Sequence, residues 1–355
     1  MIIHRFPRAL VCALIVALVL PAAAQAHARP APAVIPRYQH IFVIVMENHD
    51  YSQQIIDNPY APRINRLART YGLATAYNGV THPSEPNYVA LIGGSYFNIQ
   101  DDAAYTSTAG GVNHTIAQPS LADQLTAAGL TWKTYQQGLP YPGYLGTVYP
   151  ATDPVYQSKH NPFLNFASVQ QASPATLQQE IVPDTQLALD LRAGTAPNFS
   201  FITPDICHDM HGGVTECPYA DNADNPGDVH NNALVAAGDA YASGLIADIM
   251  ASRTWTQGNN AIVLTWDEND NYDNPHAPQS YTGCCDAVQG GGHVVTIVIA
   301  NHLRYGTHGL TDPTPYNHYA LLRTIQAAFG LGCLQHTCDT ANVPLMTPLF
   351  ATGQH

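Results

Sequence analysis

The sequence predicts an α/β protein with a mostly parallel central sheet flanked by helices. Three observations carry this expectation. His40-Ile41-Phe42-Val43-Ile44-Val45-Met46 is a continuous apolar run of strand length, and residues 198–204 and 261–266 are two further buried-strand candidates. Without polar alternation, such runs suit strands covered on both faces. Segments with helical spacing alternate with them, as a layered α/β fold requires. Each run also ends in a polar cluster: Glu47-Asn48-His49-Asp50, then Asp205 through His211, then Asp267-Glu268-Asn269-Asp270. In open α/β sheets the carboxyl edge of the strands is where ligands bind.

The other elements follow in order. Residues 62–71 start at Pro62, space Ile64, Leu67 and Tyr71 helically, and stop at Gly72, so a helix is expected there. Residues 73–80 read as a short strand leading to Ser84, residues 120–128 as a helix opened by Ser120, and residues 131–136 as a strand. Residues 138–166, rich in Tyr, Pro, Gly and Asn, read as an irregular excursion, either a substrate wall or a surface loop. The longest helix is expected over 231–252. A strand over 294–300 follows three glycines and His293, and a last helix over 316–329 contains His318. The Asp-rich segment 221–228 does not match an EF-hand and reads as a solvated loop. No repeat or second domain boundary is evident.

The chain opens with Arg5 and Arg8, an apolar run from Ala9 to Leu20, and Ala24-Gln25-Ala26. That layout is expected of a secretory signal peptide, residues 1–26, removed on export to a periplasm or beyond the cell. Its apolar run is short for a bilayer span, and no later stretch reads as a transmembrane segment. A flexible leader over 27–39 and a single domain over 40–355 complete the expected organisation. Cleavage leaves 329 of the 355 residues and moves the formal charge from −13 to −15. An acidic surface argues against nucleic acid and against docking on anionic membranes. It also repels phosphorylated substrates, so a site for them needs local positive charge from metal ions or protonated histidines. Six cysteines remain after Cys12 leaves. An even count in an exported chain favours disulfides, and close spacing favours Cys207–Cys217 and Cys333–Cys338, leaving Cys284 and Cys285 to each other.

Chemistry concentrates around Thr81-His82-Pro83-Ser84-Glu85-Pro86-Asn87-Tyr88. Pro86 fits the first turn of a helix, so Ser84 or Glu85 falls near its N-cap. Unpaired N–H groups and the positive end of the helix dipole suit an anion there, phosphate above all. A serine hydroxyl is a feeble nucleophile until a metal or base activates it. Glu47, Asn48, Asp267 and Glu268 are oxygen ligands for a divalent cation, with Ca²⁺, Mg²⁺ or Mn²⁺ favoured and Zn²⁺ suited if histidines join. The ion would also bind Ser84 Oγ and polarise a phosphate oxygen. Asn87, His82, His208 and His211 are candidates for holding phosphate oxygens or protonating the leaving alkoxide, with Asp209 orienting one of these histidines. The set suits phosphoryl transfer through a phosphoserine that water then hydrolyses. The many histidines predict a weakly acidic optimum.

Glu47-Asn48, His82-Pro83-Ser84-Glu85-Pro86-Asn87-Tyr88, Asp205-Ile206-Cys207-His208-Asp209-Met210-His211 and Trp266-Asp267-Glu268 together resemble the bacterial phosphoesterase family of the alkaline-phosphatase-like superfamily. The likeness is nearest to its branch of secreted acid phosphatases and phosphatidylinositol 3-phosphatases. The resemblance implies an alkaline-phosphatase-like sandwich, with Glu47, Asn48, Asp267 and Glu268 as metal ligands and Ser84 as nucleophile. It also implies His208, Asp209 and His211 near the phosphate, and a phosphorylated small molecule or phosphoinositide as substrate. His293 and His318 fall in the last blocks of the family pattern without an assigned role. A phospholipase C-type phosphodiesterase and a non-catalytic metal-binding exported protein are the alternatives. A sulfatase is disfavoured, since its nucleophile turn has Arg where Tyr88 stands.

Overall fold

The apolar runs become the middle of one large sheet. The computed structural model describes residues 1–2, 34–52, 54–221, 225–270, 285, 290–303, 305 and 308–351. Its main strands are β1 (His40–Met46), β2 (Gly72–Ala74), β3 (Trp132–Gln136), β4 (Ile181–Pro183), β5 (Phe199–Thr203), β6 (Asn260–Trp266), β7 (Thr296–Ala300) and β8 (Leu310–Asp312). They lie side by side in the order β8-β2-β7-β6-β1-β5-β3-β4. Every neighbouring pair is parallel except those of β7, which runs against β2 and β6. The central position of β1 explains its lack of polar alternation, because Ile41 through Met46 are buried on both faces. Each fully buried side chain of this kind contributes about 1.5–3 kcal/mol.

Four helices matter for the site: α1 (Pro62–Thr70), α2 (Ser84–Gly93), α3 (Val229–Ala251) and α4 (His318–Phe329). All ten residues of α2 are buried, as its apolar run after Tyr88 suggests. The N-cap residue of α2, Pro83, has no side-chain acceptor for the first free N–H groups. Asp102 supplies one from a distance, its Oδ1 accepting the Glu85 N–H at 2.9 Å. A carboxylate there also complements the helix dipole.

Several expectations are corrected. Residues 73–80 are two pieces, since Tyr77–Asn78 leaves the large sheet to pair with Tyr316–Asn317. That pairing takes the first two residues of the helix expected over 316–329, so α4 begins at His318, capped by the Asn317 side chain. Strands β4 and β8 are three residues each, too short for any periodicity. The helices Pro174–Glu180 and Thr185–Ala193 also go unanticipated. Within 138–166, Val148–Tyr149 pairs with Tyr156–Gln157, and two short 3₁₀ turns, Ser158–His160 and Pro162–Asn165, follow.

Helix α3 is long and apolar enough to cross a membrane by length and composition, with a mean hydropathy of 1.3, contrary to the expectation that no later stretch is. Here it packs on α1 through buried Asp239, which accepts the Ile64 N–H at 2.7 Å and pairs with Arg63 at 3.2 Å. The expected disulfides Cys207–Cys217 and Cys333–Cys338 are formed. The expected pair Cys284–Cys285 involves residue 284, outside the described residues. The signal peptide and most of the leader also fall outside them, on residues 3–33.

Behind the carboxyl end of β6, the backbone crosses itself closely. Gly79 pairs with two successive glycines, donating its N–H to Gly292 O at 2.9 Å and accepting the Gly291 N–H at 3.2 Å. A Cβ on Gly79 would meet the Asp267 carbonyl oxygen at 2.7 Å and that of Gly291 at 2.8 Å. Both obstacles are backbone, so they cannot swing aside. Gly79→Ala is expected to destabilise the fold by about 1–3 kcal/mol, read as a lower urea midpoint. An unchanged midpoint would show that this crossing has room to spare.

Candidate active site

Strand order builds the site. Because β6, β1 and β5 are neighbours, their three polar ends meet at one sheet edge. Met46 stands beside Trp266 in register, so Glu47 and Asp267 leave the sheet together. Asp267 N–H donates to Met46 O at 3.0 Å, and Glu47 N–H to Asp209 O at 2.8 Å. Asn48 turns the chain in the left-handed region, φ 59°, which Asn tolerates better than most residues. Its N–H donates to Asp267 Oδ1 at 3.2 Å.

Helix α2 brings Ser84 to this edge. Ser84 is the first helical residue, almost fully buried, and its Oγ lies 3.1 Å from Glu47 Oε2 and 3.3 Å from Glu268 Oε1. Thus Ser84, Glu47 and Glu268, from three separate segments, converge on one point. His82 Nδ1 lies 2.7 Å from the other Glu268 oxygen. Asn87, expected at the phosphate, is occupied otherwise. Its Oδ1 accepts the Val80 and Thr81 N–H groups at 2.8 and 3.0 Å. Its Nδ2 faces Thr81 O at 2.6 Å, Pro83 O at 3.2 Å and Glu268 Oε2 at 3.2 Å. With both lone pairs and both hydrogens engaged, Asn87 clamps the turn before Ser84 onto α2.

The middle cluster divides. His211 donates its N–H to Asp209 Oδ1 at 2.8 Å and places Nδ1 2.8 Å from Gly212 O. Its ring meets that of His160 at 6.0 Å between centroids. Asp209 was expected to orient His208 or His211; the ring it faces is that of His160, with Asp209 Oδ2 3.4 Å from Nδ1. His208 instead pairs with Asp205 at 2.8 Å and packs on Tyr241, away from the Ser84 contacts. His318 is buried in the scaffold, with Nε2 2.6 Å from Asp267 O and Nδ1 3.0 Å from Tyr77 Oη. It fixes the backbone of a site carboxylate. His293 stacks on Tyr51, the ring centroids 4.2 Å apart.

Residues 54–332 match the family described as the Phosphoesterase family. The chain belongs to that family. Over 321 residues it is 29% identical to the phosphatidylinositol-3-phosphatase of Mycobacterium tuberculosis, covering 90% of this chain and 85% of that one. Over 292 residues it is 28% identical to the phosphate-repressible acid phosphatase of Penicillium chrysogenum, covering 82% of this chain but only 59% of that relative's length. The fold is that of a Vibrio parahaemolyticus protein of the alkaline phosphatase superfamily, with a TM-score of 0.57 at 12% identity over 86% of this chain and 71% of that one. The expected family and fold class are therefore both found.

Two features of this phosphoesterase were not read from its sequence. His160 completes the carboxylate cluster, its Nε2 3.0 Å from Glu47 Oε1 and its ring stacked on Tyr88 with centroids 5.1 Å apart. A buried network also backs the helix start: Glu85 meets Asn165 at 2.6 Å and His114 at 3.1 Å, and His114 lies 3.4 Å from Asp101. A signal for the first existed, since Ser158-Lys159-His160-Asn161 lies within the excursion and Lys159 is one of only two lysines in the chain.

The electrostatics fit a bound cation. Burial pushes the Glu47 carboxyl up to about 7, and Asp209, Asp267 and Glu268 well above the usual carboxylate range, with charge from Glu47 adding to each. Glu47 Oε1, Asp209 Oδ2 and Asp267 Oδ2 are buried without a hydrogen-bond partner. Glu47, His160 and Asp209 offer ligand atoms within 4.8 Å of one another. Oxygen-rich donors lacking partners are what a divalent cation requires.

The histidines behave otherwise than expected. Burial holds His82 and His211 down to about 4, and His160 well below the ordinary range. Burial thus disfavours the charged form of these three rings, the source of positive charge that their number suggests. His208 moves the other way, raised by its hydrogen bond to Asp205.

These shifts have a stability consequence. Acids whose folded pKa is raised stabilise the fold below their unfolded pKa, and that contribution is lost as pH rises through the folded value. Glu47 at about 7 and Glu85, pushed by burial to about 8, place the loss between weakly acidic and weakly alkaline pH. The thermal midpoint of chelator-treated protein is expected to fall over that window, and a divalent cation to restore it most at the alkaline end. A midpoint that ignores both pH and cation would remove the case for buried, cation-seeking carboxylates.

Proposed function

We propose that this chain is an exported, divalent-metal-dependent phosphomonoesterase that works through a phosphoserine at Ser84. The observation that carries the reading is the placement of Ser84 Oγ, at the head of a buried helix and between the Glu47 and Glu268 carboxyls. A storage or scaffold site has no use for a hydroxyl held there. The phosphatases named among its relatives support the monoester class over a diester class. The opening of the sequence supports export.

Glu47, Asn48, Ser84, Asp267 and Glu268 would hold the cation, with Asp209 and His160 as further donors. When bound, the cation supplies charge that balances the carboxylates and polarises a phosphate oxygen. The chain does the rest. Asn87 fixes the turn so that Ser84 Oγ faces Glu47 and Glu268, either of which can take its proton as the oxygen attacks phosphorus and return it to the departing alkoxide as the P–O ester bond breaks. His82, whose Nδ1 lies 2.7 Å from Glu268, steadies that carboxyl. With Nδ1–H donated to Gly212 O, His211 has a bare Nε2. It therefore suits accepting a proton from the water that attacks the phosphoserine, and not donating one to the leaving alkoxide. His208 is engaged by Asp205 and Tyr241. The substrate is a phosphorylated small molecule or a phosphoinositide.

Purified protein is expected to hydrolyse p-nitrophenyl phosphate, and Ser84→Ala to lower kcat by roughly 10³-fold or more with its circular dichroism unchanged. Turnover that survives in this variant would place the nucleophile elsewhere. Chelation should abolish activity, and add-back of single cations should restore it. A parallel panel of monoesters, diesters and phospholipids decides the class, with faster turnover of diesters overturning the monoester reading.

A further inference from the structure

A phosphate site in a protein of formal charge −13 needs a fixed positive charge beyond any bound cation. The histidines beside Ser84 face its carboxyls, His82 2.7 Å from Glu268 and His160 3.0 Å from Glu47. The chain has just two lysines, Lys133 and Lys159. Lys133 lies on β3, paired with Asp190 at 2.6 Å, and is accounted for by that ion pair and its sheet position.

Lys159 is placed differently. It precedes His160 on a 3₁₀ turn that packs on α2, and its side chain is only 11% exposed. Its Nζ lies 2.9 Å from Asp102 Oδ2, while the other oxygen of Asp102 accepts the Glu85 N–H at the head of α2. One carboxylate therefore ties Lys159 to the helix terminus that carries Ser84. The next residue on the same turn, His160, stands 3.0 Å from Glu47, so this turn borders the Ser84 site. An ammonium has three N–H bonds, and Asp102 is the hydrogen-bond partner of one among the described residues. We infer that Lys159 is the residue that receives the phosphoryl oxygens of the substrate, with Asp102 tethering it beside Ser84. This inference rests on the phosphatase reading for its substrate, but its anion site can be tested without turnover.

Two measurements on the full chain test it. Lys159→Met is expected to lower kcat/KM for p-nitrophenyl phosphate by about 10²-fold and to weaken inhibition by inorganic phosphate by about tenfold. Lys159→Arg should recover most of both. Separately, the unmodified protein is acetylated slowly and its two lysines are followed by mass spectrometry. Inorganic phosphate should protect Lys159 and leave Lys133 unaffected. Unchanged catalysis and phosphate inhibition in Lys159→Met, or acetylation of Lys159 indifferent to phosphate, would overturn the assignment. If Lys159→Met does not fold, the acetylation result on the native chain decides. If the native chain turns over no phosphate ester at all, the phosphatase reading fails, while protection of Lys159 still reports whether an anion binds there.

Discussion

Concentrated buried negative charge is the condition on which this structure depends. Glu47, Asp209, Asp267 and Glu268 come from the ends of three neighbouring strands and are almost completely withdrawn from solvent. Left to themselves, such groups hold their protons, since ionising several carboxyls in a dry space is costly. Much of the surrounding architecture serves to keep them in place regardless. His318 and Tyr77 fix the Asp267 backbone, Asn87 and His82 restrain Glu268, and His160 stands against Glu47 and Asp209. A folded chain retains an arrangement of this kind when a ligand or a reaction makes use of it.

Much of this is legible in the sequence. The lack of alternation in His40–Met46 implied a strand covered on both faces, and β1 lies near the middle of the sheet. Ser84, Glu47 and Glu268 were named from strand ends and a Pro-flanked turn, and they do meet. What pattern could not reveal was pairing that depends on distant segments. Tyr77–Asn78 and Tyr316–Asn317 are strands only because they find each other. The antiparallel direction of β7 is a matter of which strands it pairs with, which periodicity does not encode. His160 sits in an irregular stretch with no strand end or helix start to mark it, and its one cue is the rare lysine beside it.

The differences over Asn87 and the histidines share a cause. Residue type alone says what a side chain can do, whereas burial and partners decide which of those capacities remain. Asn87 has four hydrogen-bonding capacities and the turn uses them all. Histidine titrates near neutrality in water, yet His82 and His211 lie where a charged ring would lose too much hydration. A lysine beside a carboxylate keeps its proton when partly buried, because the opposite charge favours its ionised form.

The two outermost strands of the sheet carry a further consequence. Both β4 and β8 are three residues long, and β4 ends at Pro183. A stranger chain seeking to extend the ladder finds few unpaired amides at either margin, and at one of them a residue with no amide hydrogen. The long apolar strands that build the interior are thus kept away from the rims, where they would invite fibril-like stacking.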